Sequence, residues 1–306
     1  MSSAVSALYE RLIERDLEAI PSVVKAFHSS EELFLAVARF AVLAYVPSEH
    51  AKHAFLSTLA AYEMREQYGE RWNDLLIECA RYAAESRQPW SEPPILEPPV
   101  VDNDQPRDVD ALRAAVAAHD RLAAERWLAA RLDDQSLLDD LLTVAADDFE
   151  DLGHKVIITR AAWKLALILG EKGRYATLRV ALWEMTSNAG PTLSGPGPAE
   201  SRPSMREQLI DNAVAEKGSI ESVHAVFLYE AANDTSVFDR VCDHLAAQPL
   251  RSASDELPPA GPPPVYRLAR DYAQCLIAYA VGDARLKAAA AYNLEHGPSF
   301  ADWSLE

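Results

Sequence analysis

Residues 53–69 read HAFLSTLAAYEMREQYG, residues 154–170 read HKVIITRAAWKLALILG, and residues 266–282 read YRLARDYAQCLIAYAVG. In each stretch the first residue stands sixteen positions before a glycine. An alanine recurs at Ala60, Ala161 and Ala273, and Tyr62, Trp163 or Cys275 follows two residues later. Apolar residues spaced three and four apart mark all three as helices that stop at the glycine. The pattern continues upstream, where each stretch is preceded by a helix, a polar break and a second helix. The breaks HSSEEL, DDQSLL and NDTSVF carry Ser or Thr where a helix N-cap belongs.

The chain therefore reads as three repeats, 1–88, 107–187 and 205–296, joined by Pro-rich connectors at 89–106 and 188–204. A third Pro-rich stretch, ELPPAGPPP at 256–264, falls inside the last repeat. Repeats of roughly 20–50 residues stack into open solenoids. These are longer, about four to five helices each, which predicts one closed all-α domain over 1–306 with a central cavity. The rest of the sequence agrees with all-α. In LLIECARYAAES, Leu75, Leu76, Cys79 and Ala80 mark one face, continued by Tyr82 and Ala83. The nearest approach to a strand is KVIITR, and it sits inside the repeated helix.

Composition narrows the function. Hydrophobic residues make up 49% and charged residues 25% of the 306 residues, which is ordinary for a globular protein. The net charge of −18 is not ordinary, and no local run of Lys and Arg offsets it. Nucleic acid and anionic membrane surfaces are thereby excluded as expected partners. Cys79, Cys242 and Cys275 lie far apart without zinc spacing, so buried free thiols are expected. The N-terminal MSSAVSALYERLIERDLEAI carries charges throughout and lacks a signal-peptide core, and no later stretch reaches ~20 uncharged apolar residues. A cytoplasmic location is the expectation.

Three of eight histidines fall where the repeats would converge. SEHAKHA puts His50 and His53 three apart, with Glu49 beside them, and DDFEDLGHK puts Asp151 and His154 at the same spacing. In the repeat register Asp151 matches His50 and His154 matches His53. The third copy offers Pro263 and Tyr266 there, and its histidine, His224, comes from the earlier stretch SIESVHAVFLYEA. Paired ligand-type residues from several helices are what a metal site inside a helical body requires. The competing reading is structural: acidic and polar residues cap helix N-termini, and a histidine on an apolar helix is more commonly a hydrogen-bonded core residue. His28, His119, His244 and His296 fall at breaks, surface positions or the end of the chain. AADDFED reads as a solvated helix end. Trp127, Trp163 and Trp183 suit the core or the wall of a pocket for a flat aromatic molecule.

These histidine motifs resemble the questin oxidase-like family. HAFLSTLA at His53, HKVIITR at His154 and HAVF at His224 are similar to that family's motifs and occur in the same order. The resemblance implies an all-helical oxygenase of aromatic polyketides, performing Baeyer–Villiger oxidation or ring opening of anthraquinones. It further implies a non-haem iron held by His53, His154 and His224, with O2 as co-substrate. The chain departs from the family pattern in three ways. HAVF lacks the family's threonine, Tyr266 stands where a late His-x-x-Lys helix would align, and the chain is shorter than the fungal members. His50 or Tyr266 could complete the ligand set, or this copy could lack the metal.

Two functional readings follow. The first is a non-haem iron oxygenase acting on a polycyclic aromatic metabolite, with His50, Asp151 or Tyr266 completing or tuning the site. Asp151 is the nominated base for a phenolic proton, and a reductase is a candidate partner. The second is a metal-free acidic helical-repeat protein that binds a basic protein or sequesters a ligand, its histidines serving only the core.

Overall fold

The computed structural model describes residues 2–47, 49–86, 96–101, 106–187, 205–216, 219–247 and 280–296. Among them the secondary structure is entirely helical, with no strand. The Pro-rich stretches 188–204 and 256–264, together with Tyr266, Cys275 and most of the third signature helix, lie outside the described residues. The chain divides into two compact units, Met1–Ile95 with Ser254–Glu306, and Leu96–Ala253. The first boundary falls within the Pro-rich stretch 89–106, and the expected third repeat is divided between the units.

The first unit contains α1 (Ser3–Glu14), α2 (Ile20–Val24), α3 (Ser30–Ala44), α4 (Glu49–Glu63), α5 (Arg65–Tyr68) and α6 (Trp72–Ser86). Ser29 caps α3, its side chain accepting from the Glu32 amide at 3.1 Å. Glu31 and Glu32 complement the dipole in the first turn. Leu33, Phe34, Val37 and Phe40 then point inward, 0–1% exposed. The face read from LLIECARYAAES is the buried face of α6, since Leu75, Leu76, Cys79, Ala80, Tyr82 and Ala83 are all within 1% of full burial. α6 packs on both α3 and α4. Trp72 fixes the start of that packing by donating its indole N–H to the Ala61 carbonyl of α4 at 2.9 Å.

The second unit contains α7 (Val109–Ala117), α8 (Arg121–Ala129), α9 (Leu137–Ala145), α10 (His154–Leu169), α11 (Glu171–Ser187), α12 (Met205–Ala215), α13 (Ile220–Ala232) and α14 (Phe238–Ala246). The last described helix, α15 (Ala284–His296), belongs to the first unit. KVIITR lies within α10, as its repeat position predicted. Lys155, Val156, Ile157, Ile158 and Thr159 are all buried, so the front half of this helix is enclosed on every side. Its neighbours are α9, α11 and α13. The three signature glycines, Gly69, Gly170 and Gly282, all have positive φ, which explains why glycine is required where the helix must turn off.

Two local expectations were not met. The signature helix of the first repeat is not continuous, because α4 ends at Glu63 and the short α5 precedes Gly69. Of the three polar breaks only Ser29 provides a side-chain cap. Ser136 is drawn instead into hydrogen bonds with Arg131 and Asp140, and Thr235 turns back to the Ala232 carbonyl. Short polar side chains choose among nearby partners, and tertiary context decides which one wins.

Candidate metal centre

The second unit brings His154 and His224 together. Their rings stand 4.5 Å apart between centroids at an interplanar angle of 46°. One potential ligand nitrogen on each lies within 4.8 Å of one on the other. His154 is 4% exposed and His224 is fully buried.

The route from sequence to this juxtaposition runs through the segment between α9 and α10. Asp151, Leu152 and Gly153 form a single 3₁₀ turn in which all three residues take positive φ, of 53°, 58° and 75°. Left-handed conformations are costly for residues bearing a Cβ. Here the turn is held from both sides. Phe149 stacks on His244 of α14 with ring centroids 4.4 Å apart. Lys155 and Asp148, each 6% exposed, form a buried ion pair at 2.5 Å, and Asp148 also accepts the Glu150 amide at 2.7 Å. Glycine at 153 also permits close approach, because a Cβ there would fall 2.7 Å from a methyl of Leu228 on α13. His154 begins α10 directly after this glycine, and Leu228 lies one turn beyond His224.

The turn also fixes the orientation of His154. Its Nδ1 bonds to the Asp151 carbonyl. A carbonyl oxygen can only accept, so Nδ1 carries the hydrogen, and in the neutral imidazole Nε2 is the nitrogen with the lone pair. Metal-binding histidines are commonly oriented this way, by a backbone carbonyl on the far side of the ring. The Asp151 carboxylate, 48% exposed, comes within 3.5 Å of the same Nδ1. Asp151 and His154 are therefore neighbours, as their spacing suggested, although Asp151 sits on the 3₁₀ turn rather than on the helix.

His53 lies in α4 of the first unit and is 2% exposed. His50 precedes it in the same helix, and its side chain is outside the described residues, as is the whole of Tyr266. His28 is exposed. His119 bonds through Nδ1 to the Thr186 carbonyl at 2.8 Å. The His244 ring lies flat against Phe149, and burial holds its pKa below the usual histidine value.

No family model, curated protein or solved structure matches the chain.

The acidic cluster AADDFED corrects its own expectation. Asp148 is buried and paired. Asp147 bridges two arginines, accepting from Arg113 Nε at 2.7 Å and Arg240 Nη2 at 2.9 Å. The only sequence sign of this was the lysine directly after His154, in the middle of an otherwise apolar run. Cys79 and Cys242 are buried thiols outside any disulfide among the described residues, as expected, and burial drives the Cys79 thiol pKa upward. Trp127 is a core residue, Trp163 and Trp183 are half-buried, and each of the three carries an arginine over its ring. No helix among the described residues is long and apolar enough to cross a membrane.

Proposed function

We propose that this protein is a non-haem iron oxygenase acting on a polycyclic aromatic molecule, with His154 and His224 as iron ligands. The observation that carries the reading is the His154–His224 pair, with the His154 lone pair directed to Nε2 by the Asp151 carbonyl. Two imidazoles suit iron, zinc, copper or nickel alike. The resemblance to the questin oxidase-like family selects iron among them. His53 is the proposed third ligand on the repeat register, supported by its burial, and His50 or Tyr266 completes the set on the same register. When bound, the iron supplies a centre for activating O2 beside the substrate.

The chain's own residues would do the rest. His154 and His224 are buried, so water is kept from the ligands and every charge interaction there is strengthened. Asp151 is half-exposed, and its carboxylate is the group nominated to hold a phenolic proton. Three pseudo-repeats around a central cavity would give the aromatic substrate its pocket, and a cytoplasmic setting with a reductase would supply electrons.

Elemental analysis tests the reading. The full chain, loaded anaerobically with ferrous iron and desalted, should retain close to one iron per chain. A His154→Ala, His224→Ala double variant with unchanged helical circular dichroism should retain none. Wild type that holds no iron above the double variant refutes the proposal, and retention of another first-row metal in preference to iron refutes the oxygenase assignment.

A further inference from the structure

Arg179, on α11, is 8% exposed, yet among the described residues it donates no hydrogen bond and joins no ion pair. Its Nε is sealed from solvent with nothing to bond. A guanidinium stays charged at any physiological pH, and burying one without a partner is strongly unfavourable. The surroundings explain how it is held but not what neutralises it. Its Cζ sits 4.1 Å from the centroid of the Trp183 ring, and the Cζ of Arg121, an exposed residue on α8, sits 5.0 Å from the same centroid. Glu125 is the nearby counter-charge, but its oxygens go to other donors: Oε2 accepts from Tyr175 Oη at 2.8 Å and Oε1 from Trp183 Nε1 at 2.6 Å. Two cations thus share one indole, and the Glu125 carboxylate beside them is engaged by two neutral donors.

We propose that Arg179 and Arg121 form a binding site for a small oxyanion, a phosphate or carboxylate group, on the α8–α11 face of the second unit. Stacking on Trp183 fixes the plane of the Arg179 guanidinium, and with it the direction of its donor fork, before any ligand arrives. Arg121, exposed and set over the same ring, attracts the anion and shares its charge. An anion bound by both turns the repulsion of two like charges into two attractions. The hydrogen bonds that Glu125 accepts from Tyr175 and Trp183 orient that carboxylate toward them, and it forms no ion pair with Arg179. Burial lowers the Arg179 pKa while Glu125 opposes the shift, as expected for a cation whose counter-ion is incomplete. The proposal is independent of the metal centre and stands or falls separately.

The test is a titration of the full chain with inorganic phosphate, and separately with acetate, at constant ionic strength against chloride. Thermal midpoint and tryptophan fluorescence are the readouts. Either oxyanion should raise the midpoint and change the fluorescence saturably, and the one that saturates at lower concentration identifies the group. Arg121→Met should weaken binding about tenfold, the scale of one charge-assisted hydrogen bond. Arg179→Met should abolish it, and Arg179→Lys should restore it only in part because the fork is lost. If Arg179→Met fails to fold, the exposed Arg121→Met carries the test alone. Wild type that responds to both oxyanions as it does to chloride overturns the proposal, as does an Arg121→Met response equal to that of wild type.

Discussion

Replacing Gly153 with alanine should strike the candidate metal centre without touching a ligand. Two costs arise from the structure. At φ +75° a Cβ strains the backbone, by about 1–2 kcal/mol. The same Cβ falls 2.7 and 2.9 Å from the two methyl carbons of Leu228, an overpacking contact costing about 1–3 kcal/mol once Leu228 and α13 shift to accommodate it. The expected loss of stability is therefore about 2–5 kcal/mol, the backbone term being unavoidable and the contact term depending on how far Leu228 can move. The assay is urea unfolding of Gly153→Ala, Leu228→Ala and the double variant. Leu228→Ala alone removes a side chain that is 1% exposed and should cost about 2–5 kcal/mol. The double variant should fall short of the sum by about 1–3 kcal/mol, because the second change removes the clash that the first creates. If the close approach sets the spacing of α10 and α13, iron retention should also fall in Gly153→Ala and recover in the double variant. A Gly153→Ala protein within about 0.5 kcal/mol of wild type, or strict additivity in the cycle, would refute the reasoning.

Breaking the buried Lys155–Asp148 pair with Asp148→Asn should cost about 3–5 kcal/mol, because a buried ammonium loses the carboxylate it is paired with. Adding Lys155→Met should return most of that loss, as measured by chemical denaturation at neutral pH. His244 predicts a pH dependence. Burial against Phe149 lowers its pKa in the folded state, so between the folded and unfolded values the unfolded chain binds more protons. Stability should consequently be fully present above the ordinary histidine pKa and decline as pH falls through it, levelling off below the folded value. His244→Phe should flatten that part of the stability profile. A slope unchanged by the substitution would mean that the titration belongs to another group.

The sequence made much of the fold legible because helix formation and burial leave periodic marks. The face Leu75, Leu76, Cys79 and Ala80 was readable from spacing alone, and KVIITR was rightly read as helix because its repeat position outweighed its β-branched content. The histidine pair was half legible. His154 announced itself by its place in a repeated helix, and His224 stood out as a lone titratable residue in an apolar run. Their proximity was an inference from assumed convergence. Asp148 was misread as solvated because its partner, Lys155, follows a turn whose three left-handed residues no local pattern foretells. The bare guanidinium of Arg179 left no trace in the sequence, where it is one more charge on a helix.

The sequence by itself determined that the chain is helical, that helices stop at Gly69 and Gly170, and which residue types could do chemistry. Those properties depend on neighbours within a turn or two, through hydrogen bonding, periodicity and glycine's access to positive φ. Only the tertiary structure decided which histidine meets which, which carboxylate is buried and paired, and which arginine is left with a ring beneath it and no hydrogen bond. Those outcomes depend on close packing between helices distant in sequence. There a single missing Cβ at Gly153 lets Leu228 approach, and with it the helix that carries His224.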